Sequence, residues 1–505
     1  MKIYDFTIYN LMERNAFIHA NKSAWIEAET DKKITFAEYK QKSTVLAAEL
    51  KKAGLKKGDR IGIIGKNSLE FFLLYGAAAA LGAIILPVNW RLSANEICFN
   101  FTDCEPKFIF ADNEYHGLID SIKDKLSFVK EYFSLNEASV GYPSIEELLK
   151  NINADFTPED IAGEDGFLII HTAAIHGRPR GALLTHSNIL AGNLNYTSVL
   201  HLTSADVHLN FLPLFHIGGL SMAYAAFHAG AANINMAKFN ADKAVDIIEK
   251  NKVSFAFDFS PILSSVIEAA KKSNKDITSL KAVAGLDSPE TIEEYQKLTG
   301  GSFYSLYGQT ETSCLATFGK YDEKPGAAGK MVPLAEVKIV DDQDNILGIN
   351  QVGEITVKGP VVFKGYWNLP EDNEFIFRAG MHHTGDTGRF DEEGFLWYAG
   401  RKAEKELIKP GGENVYPAEV EKVILQHPNV EKTVVFGVPD PKWKEGVKAV
   451  CTLKEGRSLD KEELIKFVGE RIASYKKPQY VEFINDMPLN KDESPDREKV
   501  KKIYG

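Results

Sequence analysis

The residues best suited to chemistry gather first in one stretch, Phe167 to Leu190. An apolar run, Phe167 to Ile170, suits a buried strand. It meets a segment punctuated by Gly177, Pro179 and Gly181, after which Leu183 and Leu184 lead to a helix-start signal at Ser187 and Asn188. Glycines in such a loop let backbone N–H groups converge on an anion, and Arg178 and Arg180 add charge that could clamp a phosphate or a carboxylate. No GxxxxGK[ST] sequence occurs, so this would be a phosphate loop of another kind. An ordinary strand-to-loop turn with two solvated arginines accounts for the same residues equally well. The four cysteines, Cys98, Cys104, Cys314 and Cys451, include no CxxC pair and no histidine at metal-ligand spacing. That argues against a zinc site and a disulfide framework and leaves reduced thiols.

The elements that must position these residues read as α/β. Asp59 to Ile64 suits a strand, Asn67 or Ser68 can cap a helix through Leu81, and Ile84 to Leu86 returns as a strand, the pattern of a βαβ unit. Tyr75 to Val88 is the most apolar stretch, but Gly76, Gly82 and Pro87 break it, and it falls short of the roughly 18 residues needed to cross a bilayer. Further strands are expected at Lys107 to Ala111, Val253 to Phe257, Lys281 to Ala284 and Ser302 to Leu306. Helices are expected at Asn240 to Asn251 and from Ser288-Pro289 through Leu298, with serine at the N-cap and proline at N1. At 505 residues and roughly 150 per domain, the chain has room for about three folding units. Acidic residues outnumber basic ones by 70 to 59, so no nucleic-acid partner is expected and any phosphate site must be a local concentration of donors. Asp5, Glu13 and Arg14 interrupt the N-terminus where a signal peptide needs an apolar core, and a cytoplasmic protein without a transmembrane segment is expected.

After about residue 330 the texture changes to short strands between Gly/Asp turns: Val337 to Val340, Glu354 to Lys358 and Gly394 to Tyr398. From Arg401 to Lys409 charges dominate, and Pro410, Gly411 and Gly412 interrupt the chain. A compact set follows: a helix from Pro417 to His427, strands at Thr433 to Phe436 and Lys448 to Leu453, and a helix opening at Asp460. There Asp460 and Glu463 suggest a capping box, and Leu464, Ile465, Val468 and Ile472 an apolar face. The expected organisation is a large N-terminal domain, 1–400, of mixed α/β sheets plus a β subdomain, and a small hinged α+β C-terminal domain, 401–505.

In this order, His171-Thr-Ala-Ala-Ile-His-Gly-Arg-Pro-Arg-Gly181, Leu-Thr-His-Ser-Asn, Leu-Pro-Leu-Phe-His-Ile-Gly-Gly (212–219), Leu-Tyr-Gly-Gln-Thr-Glu-Thr (306–312), His-Thr-Gly-Asp (383–386) and Gly-Arg…Leu-Ile-Lys-Pro-Gly-Gly-Glu-Asn-Val-Tyr-Pro-Ala-Glu-Val-Glu (400–421) resemble the motif series of the adenylate-forming superfamily, and within it the acyl-CoA synthetases. The series covers nearly the whole chain. The resemblance implies joining a carboxylic acid to AMP from ATP with Mg²⁺, expelling pyrophosphate, and then displacing AMP with CoA, in fatty acid or related metabolism. A homodimer is left open. It implies a nucleotide site of Thr172, Gly177, Arg178, Arg180, Gly181, the adenine segment Gly285, Leu286, Asp287 and Ser288, then Tyr307, Gly308, Gln309 and Thr310, with Asp386 on the ribose and Arg401 nearby. Glu311 would hold Mg²⁺, Thr310 would lie near the α-phosphate, and His216 would stand between acyl tunnel and adenylate. Asp258, Phe259, Ser260 and Leu306 would line the acyl pocket. Lys409, counted with Glu311, Thr310 and His216 as catalytic, would lie on the CoA side with Gly411, Gly412 and Glu413. Lys402 or Lys405 would be the hinge.

Two departures stand out. The usual Thr-Ser-Gly-Thr-Thr-Gly-x-Pro-Lys-Gly loop has Ala173, Ala174, Ile175 and His176 at its core here and Arg180 in place of its lysine. Losing one preorganised donor to developing charge costs about 10²–10³ in rate, so either Arg178, Arg180 and His176 compensate or pyrophosphate handling is weakened. At the C-terminus Ser494 occupies the position of the usual adenylation lysine, and a serine supplies no positive charge. Lys491 or Lys499 from a shifted loop, or Lys402, Lys405 or Lys409, would have to substitute. Three readings follow: an AMP-forming acyl-CoA ligase; an acyl-CoA or acyl-adenylate enzyme with weak adenylation, including use towards ATP; and a non-catalytic nucleotide- or thioester-binding protein.

Overall fold

A computed structural model of the chain describes residues 5–150, 156–172, 179–401, 407–441, 443–490 and 494–505. It forms two compact units, one of residues 1–90, 101–170 and 181–400, the other of 91–100, 171–180 and 401–505.

In the first unit the nine-stranded sheet runs in the order Lys330–Met331, Thr317–Lys320, Ser302–Tyr307, Ala282–Leu286, Phe255–Phe259, Val207–Asn210, Ala232–Asn235, Ser23–Glu27, Lys33–Thr35. Pairing is parallel from Ser302–Tyr307 across to Ser23–Glu27, and antiparallel only at the two edges. A seven-stranded sheet is centred on Gly166–Thr172, Ile84–Val88, Arg60–Ile64 and Phe108–Ala111, again parallel. The helix Leu69–Leu81 shows why parallel sheets need covering on both faces: every one of its residues but Glu70 is buried, Ser68 caps it, and Gly82 ends it with φ 67°. A four-stranded sheet of Glu336–Val340, Gly353–Lys358, His382–Phe390 and Leu396–Arg401 is the β subdomain expected after residue 330, with antiparallel pairing across its first three strands.

The second unit carries a three-stranded sheet, Val430–Asp440 antiparallel to Lys444–Leu453, which is parallel to Tyr480–Phe483. Helices Pro417–Ile424 and Lys461–Gly469 close a core of Val420, Ile424, Val435, Val447, Leu464 and Val468. Buried within this unit, the Lys476 ammonium lies 2.6 Å from Glu96 and 2.6 Å from Glu419. Glu96 also accepts from the Ser93 and Ala473 N–H groups.

Several local expectations are corrected. The helix after the Leu183-Leu184 segment is His186–Leu200, and its N-cap is Thr185, paired with Asn188 in a capping box, not Ser187. Asp460 caps the helix Lys461–Gly469 with its side chain accepting from Glu462 N–H, two positions on, rather than through a reciprocal capping box with Glu463. The helix from Pro417 stops at Ile424 rather than His427, and the buried strand near 255 runs Phe255–Phe259 because its pairing to Ala282–Leu286 continues to Leu286. All four cysteines are free and buried.

Candidate active site

Three parallel strands of the first unit end side by side: Asp258 stands opposite Gly285, Phe259 opposite Leu286, and Gly285 opposite Ser305. In open α/β sheets ligands sit beyond such carboxyl ends. Gly285 has φ 155°, and a Cβ there would collide with the Asp258 carbonyl oxygen, so only glycine lets the two strand ends approach this closely. Ser288 caps the helix Pro289–Thr299 through Thr291 N–H with proline in its first turn, as the sequence predicts, and Asp287 Oδ1 accepts from Ser288 N–H at 2.7 Å.

The segment Tyr307-Gly-Gln-Thr-Glu311 fixes two carboxylates. The Tyr307 hydroxyl donates to Asp386 Oδ2 at 2.9 Å, and Gln309 Nε2 donates to the same oxygen at 2.5 Å and to Thr384 O at 3.1 Å. Asp386 is 2% exposed. Burial, reinforced by the Asp386 charge, pushes the Tyr307 phenol well above its ordinary range, so it remains a donor at physiological pH. At the other end of the segment, Glu311 Oε1 accepts from the Tyr366 hydroxyl at 2.7 Å, and Glu311 O accepts from Phe363 N–H at 2.9 Å. Thr310 and Glu311 are both buried in a short 3-10 turn. Charged acceptors make such bonds stronger than neutral ones.

His216 is the N-cap of the helix Ile217–Ala229, its Nδ1 accepting from Gly218 N–H at 3.1 Å, which leaves any ring proton on Nε2. Its ring meets Phe259 edge-on at 6.2 Å, and Phe259 meets Phe257 at 5.3 Å. A Cβ on Gly218 would press on His216, Phe259 and Phe257 at 3.2–3.4 Å, so this glycine admits the aromatic cluster. Asp258 Oδ1 accepts from Leu263 N–H at 3.0 Å and caps the helix Ile262–Ser273, whose own Pro261 N-cap has no side-chain acceptor. Leu306 is buried, Ser260 half-buried and Leu286 exposed.

In the second unit, Arg180 is buried and the Thr172 hydroxyl donates to its carbonyl at 3.4 Å. The loop from Lys409 is a tight hairpin in which Ile408 pairs with Val415, Lys409 N–H donates to Glu445 at 2.7 Å, and Gly411, at φ 57°, donates to Trp443 O at 3.2 Å. Glu413 pairs with Arg91 at 2.7 Å, and Arg401 Nη1 stands 3.5 Å from the Tyr416 hydroxyl. Ser494 closes a small turn, its Oγ accepting from Asn490 Nδ2 at 3.1 Å. Gly177, Arg178, Lys402, Lys405, Lys491 and the Ala173–His176 core lie outside the described residues. Thus Tyr307, Gln309, Thr310, Glu311 and Asp386 come together, whereas Arg180, Arg401, Lys409, Gly411, Gly412 and Glu413 belong to the second unit. Sequence reasoning missed Tyr366, and its Gly-Tyr-Trp setting after a Pro/Val/Lys loop gives no local sign of the distant partner.

The chain belongs to the AMP-binding enzyme family: the family's main domain matches residues 12–367 and its C-terminal domain residues 419–493. Within this adenylate-forming superfamily it falls in the acyl-CoA synthetase branch. It is 32% identical over 485 residues, covering 94% of each chain, to the indoleacetate–CoA ligase of Aromatoleum aromaticum, and 33% identical over 501 residues, covering 98% of each, to the 2-succinylbenzoate–CoA ligase of Geobacillus kaustophilus. Its fold is similar to that of the o-succinylbenzoate CoA synthetase of Bacillus subtilis, with a TM-score of 0.85, 28% identity and 98% of each chain covered. It is an AMP-forming acid–thiol ligase. Among the described residues no helix is long and apolar enough to cross a membrane.

Proposed function

We propose that the first unit binds ATP with Asp386 accepting the ribose hydroxyls, the Gly285–Ser288 segment along the adenine, Thr310 by the α-phosphate and Glu311 on Mg²⁺. The observation that carries this reading is the fixing of both carboxylates, Asp386 by Tyr307 and Gln309 and Glu311 by Tyr366, at the two ends of one five-residue segment. Glu311 and Thr310 offer only oxygen donors, the set a hard divalent cation takes, so these residues fit Mg²⁺. When bound, the ion would neutralise charge on the phosphates. The substrate carboxylate oxygen attacks the α-phosphorus and pyrophosphate leaves. The CoA sulfur then attacks the acyl carbon, AMP leaves, and the thiol proton passes to solvent. His216 and Phe259 bound the space for an acid with an apolar body, and the Lys409–Glu413 hairpin serves the CoA side.

Incubation with ATP, Mg²⁺, CoA and a panel including indoleacetate, 2-succinylbenzoate and short, medium and long fatty acids should give AMP and a thioester with at least one acid. No AMP with any of them would overturn the reading. A second reading, in which adenylation is weak, is favoured by Ser494, whose neutral hydroxyl accepts from Asn490. It predicts that thioester forms much faster from supplied acyl-adenylate and CoA than from the acid, ATP and CoA.

A further inference from the structure

Asp386 sits on a bulge. Glu354 pairs with Thr387 and Thr356 with His383, so Ile355 alone stands opposite Thr384, Gly385 and Asp386. Bulges leave extra residues unpaired and re-aim their side chains, often beside active sites. Here the vacated ladder positions are filled by side chains. Glu354 Oε1 accepts from Gly385 N–H at 2.9 Å, the Thr384 hydroxyl donates to Ile355 O at 2.6 Å, and Asp386 N–H donates to the Thr384 hydroxyl at 3.1 Å. Gly385, at φ 67°, makes the turn that sends the Asp386 side chain to Tyr307 and Gln309.

The second oxygen of Glu354 is held as firmly. Oε2 accepts from His383 Nδ1 at 3.2 Å and pairs with Arg378 Nη2 at 3.2 Å, and Arg378 Nε in turn pairs with Asp344 at 3.2 Å. Glu354 and His383 are buried. A carboxylate clamped on one side by a guanidinium and an imidazole presents its other oxygen to one backbone N–H, that of the residue before Asp386.

We infer that Glu354 is a positioning residue for nucleotide binding, holding the Thr384-Gly385-Asp386 bulge in the shape that aims the Asp386 carboxylate at ribose hydroxyls. It touches no substrate and acts through Gly385 N–H. The inference rests on the proposed ribose role of Asp386, and its test separates the two.

The test uses the full chain and equilibrium binding of AMP and 2′,3′-dideoxyAMP by calorimetry, so that turnover is not needed. The wild-type chain should prefer AMP by about 10- to 100-fold, the worth of a hydrogen bond to a charged group. Asp386→Asn should abolish most of that preference. Glu354→Ala should abolish it to the same extent, and Glu354→Ala/Asp386→Asn should be no worse than Asp386→Asn alone. Loss of affinity without loss of the AMP preference in Glu354→Ala, while Asp386→Asn loses it, would overturn the inference and leave the ribose reading standing. An unchanged preference in Asp386→Asn would overturn both. Should Glu354→Ala not fold, Glu354→Asp replaces it: one methylene shorter, it keeps the charge without the reach, and full retention of the preference there would equally refute the role of Glu354.

Discussion

Replacing Lys476 by methionine would strip one ammonium from between two buried carboxylates. The Lys476 side chain is 6% exposed and lies 2.6 Å from Glu96 and 2.6 Å from Glu419. Burial alone would lower the lysine, but Glu419 and Glu96 together hold it above its ordinary range. Burial would raise the Glu96 carboxyl, yet the Lys476 charge, with Ser93, holds it below the usual range. Glu419, where burial prevails and Glu96 adds to it, is held above. Because a raised lysine contributes fully below its ordinary 10.5 and is lost only as pH climbs through its folded value, the contribution of Lys476 is present throughout neutral pH. Removing one member of a buried ion pair costs about 3–5 kcal/mol, and two carboxylates are abandoned here, so the upper end is expected. That is a large share of the roughly 5–15 kcal/mol that holds a domain together. Amide exchange in the strand Lys444–Leu453 should lose on the order of several thousandfold in protection at pH 7. The triple variant Lys476→Met/Glu96→Gln/Glu419→Gln should recover most of it. A single variant whose protection falls by less than about fivefold, roughly 1 kcal/mol, would show that the three charges do not meet in solution and would refute the reasoning.

Tyr366→Phe removes one buried hydrogen bond to the Glu311 carboxylate, worth about 1.5–3 kcal/mol, and should raise the Mg²⁺ concentration for half-maximal pyrophosphate release about tenfold or more. An unchanged Mg²⁺ titration counts against the role given to Glu311. Ser494→Lys should speed adenylation if no other residue supplies that charge; an equal or slower rate would assign the task to another cation. Burial pushes the Glu27 carboxyl up to about 7 from an ordinary 4.5, Trp25 and Asn235 opposing it only in part. As an acid with a raised folded value, it contributes stability that is full below about 4.5 and lost as pH rises to about 7. Glu27→Gln should flatten that part of a urea-denaturation profile and, at pH 8, recover on the order of 3 kcal/mol, with an unaltered pH slope as the contrary result.

Local signals in the chain were legible where physics is local. Ser68 and Ser288 cap the helices expected of them, because a side-chain oxygen satisfying an N–H three residues on needs no tertiary partner. Ser187 misled because Thr185, two residues earlier, sits at the end of a strand and could equally have belonged to it. The motif positions 307–311 and 386 were found by their order in the chain, but not that one segment grips both carboxylates, since Tyr307 and Asp386 are 79 residues apart. The resemblance alone places Asp258 by the acyl pocket, and its bond to Leu263 N–H becomes visible only once the strand end and the next helix are in place. Glu354 carries no signal at all: a Gly-Glu at the start of a strand is ordinary, and its task is set by a bulge in another strand. The same holds for Lys476 and Glu96, separated by 380 residues.

The parallel order of the nine-stranded sheet has a consequence for how the chain is made. Ser23–Glu27 pairs with Ala232–Asn235, and the Glu27–Asn235 bond closes a loop of 208 residues. At roughly 5–20 residues per second, the first strand waits about 10–40 s on the ribosome for its partner. During that interval the helix Leu69–Leu81, with no polar face of its own, has only part of its eventual cover. Nascent chains stalled between residues 90 and 200 should therefore be the ones that bind chaperones and aggregate, and slowing translation across that span should lower the yield of soluble protein.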